Sequence, residues 1–476
     1  MSGSNIQTQP LPRGGRVARP LNWQLPVEAR VDVNRQILDR LSRGLSVRND
    51  PTLGPLVRPS DAEEPIQRWF HYREGYTAEL CRRIFSPDET FVADPFCGFG
   101  STLLAARNAG LPSVGLDVSP LATFVSRVKT RNYSGSTIRA VRQHAARLAD
   151  LRRRSPAAPA PTIRILNKLF HPDILHALLV FRAAIDGAAQ VEVKNFLLFA
   201  WIAILERVSN VYREGNGVKY RNRQRRGNTY SVTPYEEWEA QQFPRDKFSY
   251  VKEELLAQLD MMLAEAGAAP DGPEPAVEQR DASAAVGLVP AGGASLALFS
   301  PPYCNCFNYI KAYKLELWMA GFIRAYPDIR ALTAMGVRSR TESLLNPIND
   351  PYPTVIDQLV GLMAPEDLWS PQLPDVVRGY FADMQRTLTS LARAVRRGGR
   401  CVIVVGNSAY AGVLIPSDLL LAQIATAIGF EVEEIIVSRH LTTSSQQKRS
   451  LEPMKDYLRE SVIHLRRPRR AGPRGG

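Results

Sequence analysis

The chain has 476 residues, about three units of ordinary domain size, and 45% apolar content with six Trp supports a packed interior and excludes a disordered chain. The formal net charge of +13 favours a polyanionic partner, since each phosphate neutralised by Lys or Arg releases counterions. The longest apolar run, Phe196 to Leu205, is too short to cross a bilayer and no signal-peptide core opens the chain, so a cytoplasmic protein without membrane contact is expected. Five scattered Cys with no CxxC pair, and six His, give neither a disulfide framework nor a metal site.

In chain order, residues 1–60 come first: Arg-rich, Pro/Gly-rich and expected to be mobile. Thr90 to Gly110 reads TFVADPFCGFGSTLLAARNAG, a short apolar strand, then a turn from Asp94 through Phe96 to Gly98 and Gly100, then a helix. The two glycines let the backbone approach a ligand closely, and Ser101 is placed to cap the helix, with Thr102 beside it. A second strand, Ser113 to Asp117, follows at βαβ spacing with an acid at its carboxyl end, where a ribose-binding carboxylate belongs. Ser119-Pro120 just beyond makes a helix cap the weaker reading of Asp117.

Helical periodicity then marks 137–154, 170–185, 193–209 and 248–266, punctuated by Pro-Ala linkers at 155–161 and 268–275. Between the last two helices Tyr212 to Tyr230 reads YREGNGVKYRNRQRRGNTY. Six basic residues, Arg213, Lys219, Arg221, Arg223, Arg225 and Arg226, interleave with aromatic, Asn and Gln residues, which suits phosphate tracking and stacking on nucleic acid; a solvated charged loop is the plain alternative.

Leu298 and Phe299 lead into Ser300-Pro301-Pro302-Tyr303. Two prolines fix φ and remove N–H donors, so the turn presents carbonyl oxygens, and Tyr303 offers a ring face on which an extruded base can stack. The same four residues also suit a turn that merely closes a strand; the glycine turn upstream favours chemistry. One amphipathic helix is expected over 307–325, a long polar stretch over 338–374 in which Arg338 and Arg340 reach DNA or solvent, and a helix over 376–395. The last eleven residues, RRPRRAGPRGG, form a basic tail.

With both motifs in view, the chain resembles the S-adenosylmethionine-dependent amino-methyltransferases of DNA, whose signature joins a DPFxGxGS/T cofactor loop to an S/D/N-PP-Y catalytic loop. The resemblance implies an α/β fold, a class I methyltransferase (Rossmann-like) seven-stranded sheet, with S-adenosyl-L-methionine as cofactor. It places Tyr72 and Thr77, within 68–79, beside the methionine pocket together with Asp94, Phe96, Gly98, Gly100, Ser101 and Thr102. Asp117 and Ser119 fall at the ribose, and Asp281 with Ala282, at the end of a third strand over 277–282, at the adenine. It also implies a fifth strand within 396–408 and a final antiparallel pair, 430–438 and 460–466; between the pair, residues 439–448 (RHLTTSSQQK) suit either entry into a groove or a long solvated hairpin. In such a sheet strand two reaches strand three in about 30 residues. Here Asp117 and Asp281 stand 164 positions apart, so a helical insertion subdomain is expected.

The resulting division is a basic segment 1–60, a first core part 61–133, the helical insertion 134–268 as DNA-contacting subdomain, a second core part 269–466 and a basic tail 467–476. The activity implied is site-specific methylation of double-stranded DNA with the target base flipped out, in restriction-modification or phage defence beside separate restriction or defence subunits. Ser300 in the first catalytic position favours the N4 amine of cytosine over the N6 amine of adenine, Pro301, Pro302 and Tyr303 completing the loop. Two alternatives stand beside it: a guanine-N2 RNA methyltransferase, and a nucleic-acid-binding subunit that keeps the fold without catalysis. C5-cytosine chemistry needs an activated Cys after Pro, and the chain has no Pro-Cys dipeptide.

Overall fold

A computed structural model describes residues 22–58, 64–70, 74–163, 165–214, 217–226, 229–290, 293–442 and 447–469. The helices that matter below are α1 (Val27–Ser42), α2 (Ala78–Ile84), α3 (Ser101–Asn108), α4 (Pro120–Thr130), α5 (Gly135–Asp150), α6 (Pro172–Asp186), α7 (Val191–Ile204), α8 (Lys247–Ala268), α9 (Leu373–Ala394) and α10 (Ser417–Ala427). Among the strands of the two units are β1 (Val47–Asn49), β2 (Val92–Asp94), β3 (Ser113–Asp117), β4 (Ala276–Gln279), β5 (Ala294–Phe299), β6 (Val395–Gly406), β7 (Glu431–His440) and β8 (Arg459–Arg466). The chain divides into two compact units, one of Pro55–Asp281 with Asn308–Thr333, the other of the described residues up to Gly54, Ala282–Phe307 and those from Ala334 onward.

In the first unit β2, β3 and β4 run parallel, with Asp94 opposite Gly115 and Asp117 opposite Gln279. All three residues of β2 and four of the five in β3 are buried, the continuous apolar run of a strand covered on both faces. Gly115 lies where a Cβ would come within 2.5 Å of Leu103, so α3 packs on β3 only because position 115 has no side chain. The inserted helices form where their periodicity predicts, as α5 to α8. α8 lies against α5, α6 and α7, and α7, apolar nearly all round, is the centre of this packing. Trp69 meets Phe196 and Phe199 of α7 edge-on, at 5.7 and 5.9 Å between ring centres.

The expected basic loop is instead two β-hairpins, Val211–Glu214 with Gly217–Tyr220 and Arg223–Arg226 with Thr229–Val232. Val, Tyr and Thr are strand formers, and the Gly-Asn pairs at 215–216 and 227–228 in the sequence are turn signals that charge had masked. The helix expected over 307–325 is two short ones, Tyr309–Ala312 and Lys314–Met319, interrupted at Tyr313.

In the second unit β5 runs parallel to β6, β6 antiparallel to β8, β8 antiparallel to β7, and β1 parallel to β7. A last hairpin that re-enters next to the fifth strand is the mark of the class I methyltransferase sheet, and all seven expected strands are present. The eighth, β1, corrects the expectation of a mobile segment over 1–60: α1 and β1 are ordered parts of this unit. Asn34, Ile37 and Leu38 bury one face of α1, and Asn34 exchanges hydrogen bonds with the backbone of Leu414 at 2.8 and 3.2 Å.

In the polar stretch after 338, the two arginines expected to reach DNA or solvent turn inward. Arg338 is buried and grips Asp383 of α9 through Nε at 3.0 Å and Nη2 at 2.7 Å, and Arg340 is buried as well. An Arg fork matches a carboxylate bidentately, and Gly379 leaves room for it, since a Cβ there would stand 3.0 Å from the Arg338 side chain.

Candidate active site

The turn after β2 is built on its glycines. Gly98 and Gly100 have φ of +49° and +85°, which L side chains rarely adopt, and a Cβ on Gly100 would stand 2.9 Å from Ser126 Oγ. Asp94 ends β2, accepts from the Phe96 N–H at 3.0 Å and is buried, which pushes its carboxyl up to about 7, against the opposing bond from Thr102. Thr102 is itself buried, its hydroxyl 2.5 Å from that of Tyr76, so it supports the turn from behind. Gly100, not Ser101, occupies the cap position of α3, and Ser101 Oγ accepts from Gln67 Nε2 at 3.0 Å.

Asp117 stands half-exposed at the carboxyl end of β3 and accepts two backbone bonds, from Gly98 N–H at 3.1 Å and Ser119 N–H at 2.7 Å. Burial nevertheless pushes its carboxyl up to about 6, against those bonds. Ser119 caps α4, accepting from the Ala122 N–H at 3.4 Å. Two bonds leave a carboxylate with free lone pairs for vicinal hydroxyls, so these residues fit a ribose. β4 is shorter than the 277–282 read from sequence: Asp281 lies two residues past its end, partly exposed, and Ala282, itself buried, opens a 3-10 turn.

Thr77 caps α2, accepting from Leu80 N–H at 3.2 Å, and Tyr72 lies outside the described residues. Sequence reasoning missed what holds this segment: Lys129 of α4 is buried, donates to the carbonyls of Gln67 and Phe70 at 3.0 and 3.3 Å, and burial pushes its amine down to about 7. The signal was a lysine on the apolar face of α4, three residues after buried Ser126. Phe70 then meets Phe99 of the glycine turn edge-on at 5.0 Å.

In the second unit Ser300 follows β5 directly, after six consecutive buried residues, so the Ser-Pro-Pro-Tyr loop emerges at the carboxyl end of a parallel strand. Pro301 is buried; Ser300, Pro302 and Tyr303 are partly exposed. The Tyr303 ring lies on Gly406 at the end of β6, where a Cβ would come within 2.8 Å of Cε2, and its hydroxyl donates to the buried Glu460 carboxylate of β8. Cys304 is buried and Cys306 partly so, and burial pushes both thiols up, the opposite of an activated nucleophile.

The hairpins separate the candidate DNA contacts. Arg213 is a structural cation: its guanidinium pairs with Glu206 and Glu316 and lies 4.3 Å over the Tyr313 ring, so it has no exposed fork for a base edge. Arg221 is half-buried, donating to the Glu206 carbonyl at 3.5 Å. Lys219 and Arg223 are exposed, Arg223 sitting 5.2 Å over the Tyr220 ring. Arg225 and Arg226 lie on a strand of the second hairpin, and their side chains fall outside the described residues.

No protein-family model matches the chain. Over 447 residues it is 24% identical to the Type II methyltransferase M.AvaI of Nostoc sp., covering 86% of this chain and 88% of the relative, and the M.AvaI of Anabaena variabilis matches equally. It is 23% identical over 436 residues to the Type II methyltransferase M.BsoBI of Geobacillus stearothermophilus, covering 82% and 83%. Among solved structures the rRNA methyltransferase aviRa from Streptomyces viridochromogenes aligns over 84% of this chain and 89% of that one, at 10% identity and a TM-score of 0.26, too low to carry an argument.

Proposed function

We propose that the protein is a site-specific DNA methyltransferase that moves a methyl group from S-adenosylmethionine to the exocyclic N4 amine of cytosine, within restriction-modification or phage defence. The observation that carries this reading is the Ser-Pro-Pro-Tyr loop at the carboxyl end of β5, with Tyr303 braced on Gly406 and Glu460. Similarity to Type II methyltransferases over most of the chain supports it.

Such an amine is a weak nucleophile, because its lone pair is delocalised into the ring. The Ser300 hydroxyl and the Pro301 carbonyl accept hydrogen bonds from its N–H groups and draw the nitrogen towards tetrahedral geometry, while Tyr303 stacks on the flipped base. Asp117 would hold the ribose hydroxyls of the cofactor and Asp281 its adenine amine, with Gly98 and Gly100 opening the turn to its methionine half. When bound, the cofactor supplies an electrophilic methyl on a good leaving group, so positioning by these residues provides much of the acceleration. Ser300 lacks the charge and second acceptor of Asp, which favours cytosine over adenine.

Transfer of a tritiated methyl group to unmethylated plasmid DNA, followed by nucleoside chromatography, tests the reading. Label in N4-methylcytosine is expected. Label in N6-methyladenine overturns the choice of base, and label entering only RNA overturns the choice of nucleic acid.

A further inference from the structure

Resting on that reading, we infer that Glu460 is a positioning residue: it fixes the ring of Tyr303 in the orientation the flipped base needs. Ring stacking alone asks nothing of the phenol oxygen, yet Tyr303 Oη donates to Glu460 Oε1. Glu460 is 2% exposed on β8, and its other oxygen, Oε2, accepts from Arg439 Nε of β7 at 2.5 Å. A buried carboxylate bonded on both oxygens is a fixed post, costly to move. The ring is confined at a second point, because it lies so close over Gly406 that a Cβ added there would stand 2.8 Å from Cε2. The hydroxyl bond directs the long axis of the ring, and the contact over Gly406, off that axis, restricts rotation about it. A partly exposed tyrosine would otherwise sample several rotamers, few of which present the ring face to a base already bound and flipped.

Arg439 adds a link. It sits one residue before the end of β7, so one carboxylate joins the stacking ring to the last residues of that strand. Donation to a carboxylate also enriches the ring in electron density. That favours a stacked base on which positive charge develops.

The test is a double-mutant cycle on methyl transfer to DNA by the full-length protein. Tyr303→Phe and Glu460→Gln should each lower kcat about tenfold, with DNA affinity by anisotropy and S-adenosylhomocysteine affinity by calorimetry unchanged. Their combination should stay near that same tenfold and not reach a hundredfold, because both changes remove one interaction. Multiplicative losses, or wild-type kcat in Tyr303→Phe, overturn the inference alone. Should Glu460→Gln prove unfolded in a thermal melt, Tyr303→Phe, which keeps the ring and Arg439–Glu460, decides by itself. Wild-type protein that transfers no methyl to DNA overturns the proposed function and this inference together.

Discussion

Asp117, proposed to hold the ribose hydroxyls, already serves the glycine turn, which shapes what its removal does. Both oxygens already hold backbone N–H groups of the glycine turn, from Gly98 and Ser119. Asp117→Ala therefore loosens the turn as well as removing an acceptor for hydroxyls, and S-adenosylhomocysteine binding should weaken by about 1.5 to 3 kcal/mol. Asp117→Asn keeps one acceptor and should lose less; calorimetry on both variants measures the difference, and an unchanged dissociation constant in the alanine variant would show that the side chain serves only the turn. Asp94 makes a different prediction. Burial raises its folded carboxyl from the ordinary value of 3.8 to about 7, so its contribution to stability is fully present below pH 3.8 and is lost as pH rises through about 7. Thermal melts from pH 5 to 8 should show wild type losing stability relative to Asp94→Asn, which carries no titrating group there. Ser300→Ala should lower kcat more than it raises KM for DNA, the mark of an acceptor that matters most as the amine rehybridises.

At the level of elements, the hairpins give the basic residues a frame that alternates sides, which a loop would not. Lys219 and Arg223 face solvent, whereas Arg213 turns inward to Glu206 and Glu316. Replacing Lys219 and Arg223 together by Ala should reduce the dependence of log Kd on log salt by up to about 1.8, roughly 0.9 for each phosphate no longer neutralised. An unchanged slope in duplex-binding titrations would place both residues off the interface. The same hairpins show what can be read from sequence. The glycine turn and the Ser-Pro-Pro-Tyr loop are legible because their backbone demands, two left-handed glycines and two fixed prolines, are met by contiguous residues. The helices α5 to α8 are legible through their period. Arg213 is not, because Glu316, the partner that turns it inward, is 103 residues away; nor is Glu460, 157 residues from Tyr303. β1 is three residues long and carries no pattern at all, and is defined only by pairing with β7.

For the molecule as a whole, Lys129 sets a balance between acid and base. Its folded amine is depressed from 10.5 to about 7 by burial, so the stability it contributes is complete above 10.5 and is lost as pH falls through about 7. Lys129→Met leaves the Gln67 and Phe70 carbonyls without this donor and should be less stable at pH 9, with the gap to wild type narrowing as pH falls to 7. Urea titrations at three pH values measure that gap, and a constant one would mean the amine stays charged in the fold. β1 bears on a different matter, the fate of a shortened chain. It lies along β7 with Ile435 N–H donating to the Ser46 carbonyl at 2.8 Å and Asp50 N–H to the Val437 carbonyl at 2.9 Å. It is short, exposed, carries Arg48 paired to Glu434, and runs straight into Pro51, which has no N–H to offer. Such a strand is a poor template for further pairing, whereas the ten-residue β7 beneath it is a good one. Expression of the chain from residue 51 onward would strip that cover, and the trimmed protein should self-associate edge to edge and drop out of solution.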